Sequence, residues 1–180
     1  MIRIIRLIEK DKLRMKALEC AASLNLPQCY VAAGFIRNLV WDSLHGKQTP
    51  TPLNDVDVIY YDANESNENE YLEFEARLFT MMPELNWQVR NQAKMHVTNG
   101  DEHYFNTVDA MSYWPEKETA VAIRKLKNQD IECISAFGFD SLFDLMLSHN
   151  PKRTKETFEH RVKSKQWLEQ WPKLILAHQK

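Results

Sequence analysis

Apolar residues return at three- and four-residue steps in some stretches of this chain and at two-residue steps in others, and the two periods divide it into elements. Leu13, Ala17, Leu18, Ala21 and Leu24 share one face of a helix predicted over 13–24, which Pro27 ends. Residues 29–33 form a short apolar strand stopped at Gly34, and Ile36, Leu39, Val40 and Leu44 mark a second helix over 35–45. A loop with Pro50 and Pro52 follows. Over 55–61, Val56, Val58 and Tyr60 alternate with Asp55, Asp57, Ile59 and Tyr61, the clearest strand signal in the chain. An acidic, asparagine-rich loop over 62–70 leads into a helix over 71–82 and then a strand over 87–92. Residues 99–118 show no period and read as loop, with Pro115 as a break. A hairpin over 120–126 and 131–135 follows, and helices over 139–148 and 153–171, split by Asn150 and Pro151, close the chain. This order predicts an α/β (α+β) fold: a small mixed sheet flanked by helices, with a helical C-terminal segment. The chain's 180 residues suit one domain over 1–180, with 139–180 as a helical extension of the core.

Composition narrows the class without altering that outline. Hydrophobic residues make up 44% and charged residues 27%, as in ordinary globular domains. A net charge of −2 argues against coating nucleic acid by bulk electrostatics, yet leaves room for a local basic strip. No apolar run approaches the roughly 20 residues of a membrane span, and Arg3, Arg6, Glu9 and Lys10 interrupt the apolar positions near the N-terminus. The three cysteines, Cys20, Cys29 and Cys133, lie far apart and read as reduced core residues. Together these features predict a cytoplasmic protein with no membrane partner. The dispersed histidines match no zinc-ligand spacing.

Asp55 and Asp57 lie two apart on a predicted strand, so both carboxylates leave the same face. Carboxylates held so close repel one another unless a cation lies between them. Hard oxygen donors of this kind suit Mg²⁺, which takes one or two protein carboxylates and completes its shell with water and substrate phosphates. Taken alone the pair reads more readily as a solvated acidic face. Upstream, Gly34 ends a strand and opens a helix, leaving the first-turn amides of Gly34 and Phe35 available to phosphate. Arg37 lies one turn further along and has the geometry to neutralise phosphate.

The run Ala33-Gly34-Phe35-Ile36-Arg37-Asn38, followed by Asp55-Val56-Asp57-Val58, resembles the Gly-Gly-x-Val-Arg-Asp…Asp-x-Asp pattern of CCA-adding tRNA nucleotidyltransferases and bacterial poly(A) polymerases, of the polymerase-β superfamily. Over roughly 18–151 the chain is similar to short bacterial nucleotidyltransferase-like proteins. Leu53-Asn54-Asp55-Val56-Asp57, the segment from Val89 to His96, Asp109-Ala110 with Trp114-Pro115-Glu116, and Phe137-Gly138-Phe139-Asp140 carry that likeness. The resemblance implies a nucleotidyltransferase fold, Mg²⁺ on Asp55 and Asp57, and a nucleoside triphosphate at Gly34, Phe35 and Arg37. It implies transfer of a nucleoside monophosphate to a hydroxyl of an RNA, a protein or a small molecule. The chain departs from the pattern at Ala33, where the family has glycine, and at Asn38, where it has aspartate. The superfamily's third carboxylate is also missing from the strand over 87–92, and Asp109 is the candidate to replace it. The alternative is a catalytically impaired nucleotide-binding or protein/RNA-interaction module with the same fold.

Arg90, Asn91 and Lys94, with Gln92 and His96, form a polar run after that strand, read either as a nucleotide-facing surface or as an exposed strand end. From Pro151 onward basic residues, Lys152 to Lys180, outnumber acidic ones, which suits either a solvated helix face or an RNA-contacting strip.

Overall fold

The computed structural model describes residues 1–177, so Lys180 of the basic tail lies outside the described residues. Helices α1 (Ile2–Ile8) and α2 (Lys12–Ser23) precede β1 (Tyr30–Ala32), α3 (Gly34–His45), β2 (Val56–Tyr60), α4 (Glu70–Met81) and β3 (Trp87–Asn91). Then come α5 (Gln92–Asn99), α6 (Thr107–Met111), a short 3₁₀ turn (Lys117–Thr119), and the hairpin β4 (Val121–Lys125) and β5 (Ile131–Ser135). The chain continues through α7 (Asp140–Phe143), β6 (Met146–Leu147), α8 (Lys155–Ser164), α9 (Trp167–Gln170) and β7 (Ile175–Leu176).

The main sheet has five strands in the order β3-β2-β1-β4-β5. All neighbours pair antiparallel except β2 and β3, which α4 joins in parallel. Period two along β2 explains the two layers around it. Val56, Val58 and Tyr60 point into the main core, where they meet Val31, Val89 and the buried faces of α2, α3 and α4. Asp57 and Ile59 turn to the opposite face. There a smaller cluster of Tyr30, Ala32, Ile59, Met111, Ala120 and Ala122 covers part of the sheet and leaves the rest open.

Local chemistry accounts for the helix ends near the site. The Asp11 side chain accepts the N–H of Arg14 to start α2. Gly46 ends α3 in the left-handed conformation (φ 64°) that favours glycine. The C-terminal segment differs most from the expectation of two long helices. Leu145 (φ 56°) and Gln166 (φ 50°) adopt left-handed conformations that break the helical path. The segment therefore yields three short helices and a two-stranded parallel sheet of β6 and β7. Two helices, α5 and α6, form where the sequence reads as polar run and loop. The helix α1 was also unanticipated, although Ile4 and Ile8 are fully buried at helical spacing. Among the described residues, no helix is long and apolar enough to cross a membrane.

Candidate metal and nucleotide site

Pairing places Asp57 at the centre of a row running across the open face of the sheet. It faces Ala32 of β1 on one side and Gln88 of β3 on the other, and Ala32 in turn faces Ala122 of β4. Asp57 lines a cleft of about 500 Å³ that also takes in Ala33, Gln88, Arg90, Trp114 and Thr119. Asp55 lies just before β2, exposed at the end of the cleft strand, and its Oδ1 accepts a hydrogen bond from Asn86 Nδ2 at 2.6 Å. Burial and then the nearby Asp55 charge push the Asp57 carboxyl above the usual carboxylate range, against the pull of Arg37, Lys165 and Arg161. A bound cation relieves both causes at once. Among the described residues no group of three or more His, Cys, Asp or Glu side chains converges to hold a metal. A pair of carboxylates fits Mg²⁺, which needs only one or two from the protein, and does not fit zinc or calcium cages.

The turn from β1 into α3 runs beside that row. Ile36 and Arg37 donate their N–H groups to the Ala33 carbonyl at 3.2 and 3.0 Å, so the amides of Gly34 and Phe35 precede the first intrahelical bonds. Ala33 adopts φ 55° and ψ −123°, the first central position of a type II′ turn, where glycine is at ease and a Cβ is strained. Gly34, by contrast, has no unusual φ, and a Cβ there would meet the Arg37 and Asn38 side chains at 3.4 Å, an ordinary contact.

Arg37 is buried behind the turn. Nη1 donates to Thr119 Oγ1 at 2.7 Å and Nη2 to Asn38 Oδ1 at 3.0 Å. The guanidinium lies 4.5 Å from the Trp167 ring and 5.2 Å from that of Trp41. Burial lowers its pKa to about 10, so it stays charged at neutral pH. Asn38, standing where the family has aspartate, serves here as an acceptor for that buried arginine.

Sequence reasoning leaves the basic tail unconnected with Asp57. Arg153, Thr157 and Arg161 nevertheless line the same cleft, at four-residue steps that place them along one side of α8 and its approach. Lys165 continues the spacing, and its charge acts on Asp57. The regular spacing of Arg153, Arg161 and Lys165 was the available signal. Arg161 is held by Glu116, which has no solvent exposure: Nε donates to Oε1 at 2.5 Å and Nη2 to Oε2 at 3.3 Å. Arg153 is clasped by Asp101, with Nη1 and Nη2 at 2.7 and 2.5 Å from its two oxygens.

The sequence matches the profile of a family described as nucleotidyltransferases over residues 19–176. The chain belongs to the nucleotidyltransferase family. A solved structure described as a CCA-adding enzyme head domain is 28% identical and superposes with a TM-score of 0.86, covering 99% of this chain and 96% of that one. A CCA-adding enzyme in complex with CTP matches with a TM-score of 0.61 at 14% identity, over 97% of this chain and 42% of that one. A tRNA-processing enzyme matches with a TM-score of 0.54 at 16% identity, over 90% of this chain and 43% of its own. The chain thus spans less than half the length of those two enzymes, and the likeness to them is one of fold. No curated protein sequence matches the chain. The fold is that of the CCA-adding enzyme head, as the sequence motifs implied.

Against that family pattern, the remaining candidate residues divide sharply. Arg90 does reach the cleft, but its Nη1 is 2.6 Å from Glu75 Oε1, its Nη2 is 2.9 Å from Gln88 Oε1, and it stacks on Tyr71. Asn91 works as a staple: Oδ1 accepts the N–H of Ala93 at 3.0 Å and that of Asp62 at 3.1 Å, while Nδ2 donates to the Asp62 carbonyl at 2.8 Å. It caps α5 and ties down the loop after β2, with little capacity left for a ligand. Lys94 is exposed on α5 and does not line the cleft. Asp109 caps its own loop, accepting the Phe105 N–H at 2.9 Å, and is not brought to the cleft either. The position beside Asp57 on β3 is Gln88, an amide.

Proposed function

We propose that this protein binds a nucleoside triphosphate with Mg²⁺ and transfers its nucleoside monophosphate to a hydroxyl acceptor. One observation carries the reading: Asp57, with Asp55 beside it, faces a cleft whose opposite wall is cationic and whose end is a helix-opening turn. Asp55 and Asp57 would hold the metal, whose charge would neutralise the phosphates. The Gly34 and Phe35 amides lie at the α3 N-terminus, where backbone N–H groups and the helix dipole favour phosphate. Trp114 and Tyr113 give the cleft aromatic faces on which a base can stack. The CTP found in a protein of the same fold supports a nucleotide ligand. The acceptor would be an RNA, a protein or a small molecule, and the protein would act in the cytoplasm.

A second reading has its own observation. Gln88 beside Asp57, and a cleft lining in which Asp57 is the one acid among the described residues while Asp55 lies outside it, favour a nucleotide-binding module with impaired catalysis. Loss of a general base lowers a rate by about 10²–10⁴-fold without removing binding. Incubation with each α-labelled triphosphate, Mg²⁺ and candidate acceptors separates the two. Release of pyrophosphate with label on an acceptor supports the transferase, and binding without release under all conditions supports the module.

A further inference from the structure

Two arginines approach Asp57, and their surroundings give them opposite roles. Arg37, on α3, has both terminal nitrogens bonded within the protein, lies against two indoles, and is 7% exposed. No ligand reaches its guanidinium without dismantling that packing. Arg161, on α8, has a side chain 35% exposed and lines the cleft. Its bonds to Glu116 use Nε and Nη2, and Nη1 makes no hydrogen bond among the described residues.

Glu116 is what makes this arrangement notable. A carboxylate with no solvent exposure is costly unless a cation pairs with it. Glu116 sits two residues beyond Trp114, beneath the cleft wall, and its backbone pairs with His149 in an isolated bridge. It is therefore fixed, and it takes the Nε and Nη2 edge of the guanidinium. The fork of Arg161, which lines the cleft together with Asp57, is left oriented with Nη1 unspent. An arginine held this way loses little rotamer freedom on meeting a ligand, so more of each new hydrogen bond appears as affinity.

We infer that Arg161 is the arginine that grips the triphosphate tail of the nucleotide, and that Glu116 is a positioning residue that aims it. The inference rests on the reading of the cleft as a metal-triphosphate site and deepens it. It moves to α8 the phosphate-neutralising role that the motif suggested for Arg37. It also makes the ligand's chemistry specific: the site recognises a polyphosphate chain bound with Mg²⁺, so affinity falls with loss of the terminal phosphates. The positive charge of Lys165, also felt at Asp57, reinforces that preference.

The test uses the full chain and inorganic triphosphate with Mg²⁺ as the probe, with nucleoside tri-, di- and monophosphates as further ligands. Arg161→Gln alone strands the buried Glu116, so it is paired with Glu116→Gln, which leaves two amides able to bond each other. Arg161→Lys keeps the charge without the fork. Melting curves establish that each variant is folded. The double variant should bind inorganic triphosphate about 10- to 100-fold more weakly, as expected for losing a hydrogen bond to a charged group. Arg161→Lys should recover part of that loss. Folded variants that bind triphosphate as the unaltered protein does overturn the assignment of Arg161 while leaving the metal site standing. Absence of Mg²⁺-dependent triphosphate binding in the unaltered protein overturns both.

Discussion

Removing one methyl group should stabilise this protein, and the reason lies in Ala33. Its φ of 55° and ψ of −123° are turn values that a residue with a Cβ rarely adopts. Such strain costs on the order of 1–3 kcal/mol. Ala33→Gly removes it, at a cost of about 0.4–1 kcal/mol from the greater freedom of the unfolded chain. Loss of the methyl, in a residue only 8% exposed, costs up to about 0.8 kcal/mol more. Taken at their middle values these leave a gain of roughly 1 kcal/mol, or about 2–4 °C in melting temperature for a chain of this size. Ala32→Gly provides the control, because Ala32 is fully buried in β1 and has no positive φ. It loses its methyl and gains unfolded-state freedom with no strain to release, and should lose about 1–2 kcal/mol. Urea unfolding of both variants at one pH gives a difference of about 2 kcal/mol on this account. Equal destabilisation by the two substitutions would falsify the strain at Ala33.

Further outcomes follow from the charged groups. Asp42 accepts the Trp171 indole N–H at 2.7 Å, the Thr51 hydroxyl at 2.7 Å and the Thr51 amide at 2.6 Å, and Asp42→Ala should cost about 2–4 kcal/mol in urea unfolding. Burial opposes ionisation of Asp42, but the bonds from Thr51 and Trp171 outweigh it and hold the carboxyl below its ordinary value. Its contribution is therefore present above the ordinary carboxylate range and is lost as pH falls through the depressed value, which a pH series of melts reads directly. Asp57 has the opposite sign: its raised carboxyl favours the folded state below the unfolded carboxylate range, and that help is lost as pH rises through the folded value. Asp57→Asn should accordingly melt higher than the unaltered protein at neutral pH without metal, and should lose any stabilisation by Mg²⁺. Arg37→Lys should destabilise by about 2–4 kcal/mol through its buried bonds and indole contacts, yet alter triphosphate affinity less than about threefold while folded.

The parts of the site visible in the sequence are those built by local periodicity. Alternation along 56–60 puts Asp57 opposite the core side chains, and the glycine at 34 marks the turn into α3. Neither required knowledge of distant residues. What the sequence concealed depends on long-range placement. Asn91 reads as a polar strand end, but the loop after β2 folds back onto it and consumes its amide. Arg37 matches a phosphate-binding motif, and only the later arrival of Trp167 and Thr119 encloses it. Arg153 and Arg161 read as part of a solvated helix face or an RNA-contacting strip until the left-handed break at Leu145 redirects the chain and α8 comes to lie on the cleft. Ala33 looked like a simple departure from a glycine pair, and its strained backbone shows that the turn kept the glycine's conformation.

Whether Asp55 and Asp57 hold the metal of a nucleotide complex is read out with Mn²⁺ in place of Mg²⁺. Both are hard cations that suit carboxylate and phosphate oxygen. Amide resonances of the isotope-labelled protein are recorded with a nucleoside triphosphate and a trace of Mn²⁺, whose unpaired electrons broaden nearby signals. Broadening should centre on Val56, Asp57, Ala32 and Gln88, neighbours in the sheet, and Asp57→Asn should abolish it. Broadening that centres elsewhere, or that survives Asp57→Asn unchanged, would exclude a metal held by Asp55 and Asp57.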